Sequence, residues 1–282
     1  MRTIDKGYLV LSSILFALMT YFIKLASVYV PGNELLFFRF IGGIVICLIV
    51  DKNCFRFSEG SFNIIFFRAL YGTIATLGFF YAPYFIPISR LSVLHFSYPM
   101  FEVIFSIFWI KEKPEKIIYF SLPLSIFGIF YIMNPSFSGL NIGDLLGLIS
   151  GIFAGIAVIA IRKARIKNST TTIFLYFSVF GAIVTCIINF FQWVTPSFYA
   201  SFLILLVAVT GGLGQVAMTY AYKSSGVGEG SVISLLTVVF INILGFIFLK
   251  EPITYRLIFG EFLVMSSIVL LIVKRTRDIY LE

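Results

Sequence analysis

The sequence predicts an all-α polytopic membrane protein of ten transmembrane helices, arranged as two inverted five-helix repeats. Three observations carry that prediction. The composition is too apolar for a water-exposed surface, the hydrophobic windows have membrane-spanning length, and the two halves of the chain match one another at a single fixed offset.

Of the 282 residues, 60% are hydrophobic and 12% are charged, whereas a soluble domain carries about a quarter charged residues. Such an inventory cannot clothe a protein in water, so lipid is the expected solvent. The formal net charge is +8, but the basic residues sit at helix ends and form no separate domain. Anionic lipid headgroups are therefore the expected partner, and nucleic acid is excluded. Cys47 and Cys186 lie in apolar windows and Cys54 in a short polar loop, which makes neither a disulfide framework nor a CxxC metal pattern. The first window is too long for a signal-peptide core and lacks a small-x-small cleavage site, so it reads as a retained helix.

The apolar windows fall at 8–28, 34–50, 62–84, 88–110, 117–134, 144–162, 171–191, 199–222, 227–249 and 255–273. Each is long enough to cross about 30 Å of hydrocarbon as a helix. Breakers mark the seams: Pro31-Gly32, Pro83 to Pro87, Pro114, Asn134-Pro135, Pro196, Gly226 to Gly228 and Pro252. The linkers are short and leave no room for a soluble domain. Fifteen Lys and Arg residues fall on the side of the N-terminus and three (Arg90, Lys250, Arg256) on the other, while Lys24, Arg39 and Arg68 lie inside spans. The positive-inside rule then places both termini in the cytoplasm.

Sliding the chain by 139 residues superimposes one half on the other. Asp5 falls on Asp144, Lys24 on Lys163, Gly42 on Gly181, Cys47 on Cys186, Tyr81-Ala82 on Tyr220-Ala221, Ser92-Val93 on Ser231-Val232 and Lys111-Glu112 on Lys250-Glu251. Five spans per half is an odd number, so the second copy enters the membrane from the opposite side. Inverted repeats of this kind are characteristic of secondary transporters with a midplane binding site.

Several motifs, in order and in duplicate, resemble the drug/metabolite transporter superfamily and its ten-helix EamA-type branch. They are the Arg of span two in Glu34 to Phe40, the run from Phe67-Arg68-Ala69 to Tyr81-Ala82, Ser97-Tyr98-Pro99 leading to Lys111-Glu112, and the matching Tyr220-Ala221-Tyr222 and Lys250-Glu251-Pro252. The resemblance covers essentially the whole chain, with repeats at 1–138 and 139–282. It implies transport of small metabolites such as amino acids, nucleotides or related amphiphiles, through a cavity lined by spans 1, 3, 4, 6, 8 and 9. It also implies that Arg39 and Arg68 help to organise the bundle. The Arg39-Phe40 neighbourhood is similar to that of S-adenosylmethionine carriers in this branch. Pro99 falls against Val238, so the proline of span four is missing from span nine.

Depth ranks the charged residues. Lys24, Arg39 and Arg68 lie within about six residues of a span end, and snorkelling to the headgroups is the plain expectation for them. Glu102 lies about eight residues, or roughly 12 Å, from the nearer end. His95, Pro99 and Glu102 follow i, i+4, i+7 on one helix face, and Pro99 cannot donate to the His95 carbonyl, which allows a kink. Glu102 is expected to counter a cationic solute or take up a coupling proton, unless it is a structural partner of Arg39, Arg68 or a neighbouring helix. Gln215, Thr219 and Tyr222 repeat the same spacing in span eight, and Tyr81 and Tyr220 occupy equivalent places in the two halves. These hydroxyls and amides can hydrogen-bond a solute or tie helices together. Glu261 is expected to pair between helices or face the interface.

Gly147, Gly151 and Gly155 make two GxxxG steps, which favour close packing within the chain over dimerisation. A monomer or weak homodimer in a bacterial cell (inner) membrane is expected. No P-loop, HExxH, GxSxG or CxxC pattern occurs, so neither a cofactor, a metal nor ATP-driven pumping is expected. A membrane-embedded enzyme acting on a lipid, with His95 and Glu102 as acid and base, is the second reading.

Overall fold

A computed structural model describes residues 3–109, 141–190, 193–223 and 233–279, together with residues 120, 123, 124, 126–128 and 131. The helices are α1 (Thr3–Ala26), α2 (Gly32–Val50), α3 (Phe62–Tyr81), α4 (Ile88–His95), α5 (Tyr98–Trp109), α6 (Ile142–Arg165), α7 (Thr170–Asn189), α8 (Phe198–Ala221), α9 (Leu236–Leu249) and α10 (Tyr255–Ile279). Six of them, α1, α2, α3, α6, α7 and α8, are long and apolar enough to cross a membrane. Most of the fifth expected span, the loop with Lys111, Glu112, Lys113 and Lys116, and the Gly226 to Gly228 seam lie outside the described residues. Among the described residues there is no strand, as expected where every backbone group must be satisfied within its own segment.

Local chemistry sets the helix ends. Asn141 accepts from the Gly143 amide, Ser169 from Thr172 and Ser197 from Ala200, each filling an orphan donor at the start of α6, α7 or α8. Lys250 ends α9 in the left-handed region at φ 53°, and Pro252 follows. Large apolar side chains such as Ile49, Phe62, Phe198 and Phe262 stand exposed on the outside, where lipid, unlike water, receives them without cost.

Helix contacts come in pairs that interchange when the halves are exchanged. α1 lies along α8 as α6 lies along α3. α2 meets α8 as α7 meets α3, and α1 meets α9 as α6 meets α4 and α5. The pairs α2 with α7 and α4 with α9 meet across the centre. Each half is thus built into the other.

Span four differs from its expectation. The sequence predicts one helix over 88–110 with a kink, but the chain breaks at Phe96-Ser97 into α4 and α5. Pro99 suits this break. Its ring nitrogen has no hydrogen to give the His95 carbonyl, and as the second residue of α5 it sits in a first turn, where a missing donor costs little. The Phe96 amide closes on Ser92, the Ser97 amide on Val93, and the Ser97 hydroxyl donates to the Leu94 carbonyl at 2.7 Å. α6 presses its glycines onto this break. A Cβ on Gly151 would lie 2.6 Å from the Leu94 carbonyl oxygen, and one on Gly155 would lie 2.8 Å from the Glu102 nitrogen and 2.9 Å from the Tyr98 carbonyl oxygen. The glycine ladder is therefore used inside the chain, against exposed backbone.

Polar ties join the halves at both ends. At the end where α1 begins, the basic end, Thr171 donates to Asp51 at 2.7 Å and the Ser58 amide to Asn168 at 2.9 Å. At the opposite end Glu251 receives the Ile88 amide (2.8 Å), the Ser89 amide (3.1 Å) and the Ser89 hydroxyl (2.7 Å), and Arg90 pairs with Asp144 at 2.6 Å. A carboxylate at the start of α4 satisfies its orphan donors and opposes the positive end of its dipole.

Gly151→Val is expected to lower stability by about 1–3 kcal/mol, the usual cost of overpacking. Gly7→Ala, where an added Cβ meets nothing within 4 Å, is expected to be neutral or slightly stabilising. Melting of the two variants in detergent checks the contrast.

Candidate functional site

A central cavity of about 790 Å³, including open space at its mouth, lies between the halves. The first half contributes Ser12, Phe16 and Met19 of α1, Arg39 of α2, a stripe of α3 from Arg68 to Phe80, and His95, Phe96 and Tyr98 around the break. The second half contributes Ala154 to Ile161 of α6, Phe177 of α7, Gln215 and Met218 of α8, and Ser234 and Thr237 beside and within α9. Spans two and seven thus add Arg39 and Phe177 to the set implied by the family resemblance.

Arg39 and Arg68 do not snorkel. They are 2% and 3% exposed and turn inward to the cavity. Both guanidiniums gather on the Phe177 ring, with the Arg68 Cζ 4.0 Å and the Arg39 Cζ 5.8 Å from its centroid; Arg39 also lies 5.6 Å from Phe40 and 6.0 Å from Phe80. Glycines make the room. The Arg68 Nη1 lies where a side chain at Gly72 would begin, and a Cβ on Gly211 would come within 3.0 Å of the Arg39 Nε. With apolar rings beside them and open volume ahead, inward burial replaces the longer reach to the headgroups. The Nε and Nη1 of Arg39 and the Nε of Arg68 make no hydrogen bond.

His95 lines the same cavity, its ring 4.6 Å from that of Phe79 and 4.9 Å from that of Phe96. Its Nδ1 lies 2.7 Å from the Ser150 hydroxyl, whose one hydrogen goes to the Ala75 carbonyl at 2.6 Å. The neutral ring therefore carries its proton on Nδ1 and leaves Nε2 as an acceptor. Gln215 also reaches the cavity and donates to the Thr219 hydroxyl at 3.3 Å, while Arg165 donates to the Thr219 carbonyl at 3.2 Å. Thr219 stands behind Gln215 as its support. Tyr222 is buried with its hydroxyl 3.0 Å from that of Tyr98, and Ser234 hydrogen-bonds to both phenols. That cluster links α5 to α8 and the start of α9.

Glu102 is fully buried and receives the Arg162 Nη1 at 3.0 Å, the arginine side chain being 23% exposed. It is absent from the cavity wall, so the carboxylate expected to meet a cationic solute is met by α6. Arg162, counted with the basic loops in the sequence, belongs to the bundle because α6 runs on to Arg165. His95 and Glu102 both face α6, at Ser150 and Arg162, rather than forming an acid-base couple. Glu261 pairs as expected between helices, receiving the Asn242 amide at 2.8 Å on each oxygen.

Besides Glu102, Thr219 and Tyr222, two further expected residues are not brought to the cavity wall. Tyr220 is 45% exposed and rests on the Tyr8 ring at 4.8 Å, because one step from inward-facing Thr219 turns about 100° around the helix. Tyr81 ends α3 beside Tyr84, beyond the cavity-lining Phe80. Conversely, Ser12, Ser150, Ser234, Thr237 and Phe177 carry no spacing signal and were not singled out in the sequence. Among the described residues no group of His, Cys, Asp and Glu could hold a metal ion.

The EamA-like transporter family matches the chain twice, over residues 7–134 and 141–273. The pseudopaline exporter CntI of Pseudomonas aeruginosa is 28% identical over 265 residues, 93% of each chain. Solute carrier family 35 member G1 of Homo sapiens is 25% identical over 279 residues, covering 92% of this chain and 76% of its own. The S-adenosylmethionine uptake transporter of Rickettsia conorii is 24% identical over 198 residues, 68% of this chain and 65% of its own. A solved crystal structure superimposes with a TM-score of 0.69 at 15% identity, covering 98% of this chain and 97% of the other, and shares the fold. The chain belongs to the EamA-like transporter family and is a multi-pass membrane transporter of small metabolites.

Proposed function

We propose that the chain is a secondary transporter working by alternating access, in which the repeats 1–138 and 139–282 rock about the central cavity. The observation that carries this reading is the cavity itself, which takes its walls from both halves and lies between two sets of polar ties. At the basic end the ties are Tyr98 with Tyr222 and Glu102 with Arg162; at the opposite end they are Ser89 with Glu251 and Arg90 with Asp144. Hydrogen bonds of this kind contribute about 0.5–1.5 kcal/mol each, more when charged. One set can open as its counterpart closes at a cost that differential solute binding offsets. The break at Phe96-Ser97, with Pro99 on one side and Gly151 packed against it, is the natural hinge.

In this reading His95 and Gln215 hydrogen-bond the solute, and Tyr222 and Thr219 hold the wall behind them. Tyr81 and Tyr220 take no part. Glu102 serves coupling: its protonation frees Arg162 and loosens the basic-end tie, which links a proton to the opening of the cavity. Both termini lie in the cytoplasm beneath a cell inner membrane, and one chain encloses the cavity by itself, so a monomer suffices. Relatives named for export and for uptake support a fold whose direction the gradients decide. The lipid-enzyme reading is weaker, since His95 and Glu102 are engaged with different residues of α6.

Uptake of a panel of labelled metabolites into proteoliposomes, with and without an imposed pH gradient, tests the mechanism. Wild type is expected to show saturable uptake of one class, and Glu102→Gln to lose the response to the gradient. Normal uptake and normal pH response in Glu102→Gln would remove Glu102 from coupling.

The ion pair has its own test in a double-mutant cycle. Glu102→Gln and Arg162→Gln are each expected to cost about 1.5–3 kcal/mol of stability, and the double variant less than their sum. Additive costs would mean that the two side chains act independently.

A further inference from the structure

We propose that Arg39 and Arg68 form an anion-binding pole of the central cavity and that the transported solute is an organic anion, its carboxylate held by the two guanidiniums and its apolar body laid against the aromatic wall. The proposal rests on the transport reading above and adds the charge class of the solute.

Both arginines lie in the hydrophobic interior, and among the described residues neither has an ion-pair or hydrogen-bond partner; aromatic rings stand beside both. The other charges near the cavity are spent. Glu102 is tied to Arg162, Glu251 to the start of α4 and Glu261 to Asn242. Cation–π attraction offsets part of the cost of a buried charge, and two cations on one ring also repel each other. A structural ion-pair role would call for a carboxylate between them. A binding role calls for donors left open, and a guanidinium presents five N–H groups in a fork that matches a carboxylate.

The space for such a ligand is built. Gly72 leaves room for the Arg68 guanidinium and Gly211 for that of Arg39. The wall also offers Phe16, Phe79, Phe96 and Met218, with Gln215 and His95 to meet a polar substituent. That chemistry selects an organic anion over an inorganic one, and it disfavours a cation outright.

The test uses the full chain in detergent and in proteoliposomes, with 3-phenylpropionate, its amide, 3-phenylpropylamine and inorganic phosphate as probes. The carboxylate is expected to raise the melting temperature and to be carried. The amide and the amine are expected to do neither, and phosphate to give at most a weaker shift. Arg39→Gln and Arg68→Gln are each expected to weaken carboxylate binding roughly ten- to a hundredfold. Without ligand these variants are expected to melt at or above wild type, because an uncompensated buried charge has been removed. Arg68→Lys is expected to keep charge attraction but lose the fork, and so to bind with intermediate affinity. Unliganded variants that melt below wild type, or a carboxylate whose binding survives both substitutions, would overturn the proposal. Uptake of the amine or amide in place of the carboxylate would overturn it while leaving transport intact. Carboxylate binding lost in the arginine variants, but with no flux in wild type, would support the anion pole and count against the transport reading.

Discussion

A charge moved into hydrocarbon without a partner costs several kcal/mol, and the arrangement of this bundle follows from how each charge meets that cost. Arg162 answers Glu102, Arg90 answers Asp144, the amides of α4 answer Glu251 and Asn242 answers Glu261. Every one of these pairs crosses between elements, so satisfying charge and holding the helices in register are the same act. Arg39 and Arg68 stand apart, with aromatic faces worth about 2 kcal/mol in a desolvated setting and no ion-pair partner among the described residues. They are the residual charge around which a solute site can be organised.

The second organising feature is backbone rather than side chain. A broken span exposes carbonyls at mid-depth, which lipid cannot satisfy, so the break has to be sheathed in protein. Pro99 accommodates the break, Ser97 answers one carbonyl, and the glycines of α6 bring a helix close enough to exclude lipid. The second half turns at the equivalent place, Leu235, before α9 starts at Leu236, although Val238 stands where a second proline would be.

Much of the fold was legible in the sequence. Window length gave the spans, the 139-residue offset gave the pairing of halves, and GxxxG gave the close face of α6. The site was legible only in part. His95 and Gln215, which line the cavity, are visible in the sequence because polar residues at helical spacing stand out in an apolar chain. Tyr220 and Tyr81 were misplaced because equivalence in sequence fixes depth in the membrane but not which way a side chain faces. Arg39 and Arg68 were misread for a related reason. Distance from a span end sets whether snorkelling is affordable, whereas inward burial depends on rings and glycines supplied by other helices, above all Phe177 and Gly211. The sequence allows Glu102 a partner on a neighbouring helix but does not single out Arg162, which falls at the edge of a hydrophobic window.

The central claim is that one cavity between inverted halves opens to each side of the membrane in turn. Thr76 lines that cavity and, among the described residues, bonds to its own helix alone, so a cysteine there disturbs little. With Cys47, Cys54 and Cys186 replaced, Thr76→Cys in oriented proteoliposomes is to be probed with a membrane-impermeant thiol reagent added to either side. Labelling from both sides, slowed by a transported solute, is the expected result. Labelling from one side alone under every gradient and solute condition would contradict alternating access through this cavity.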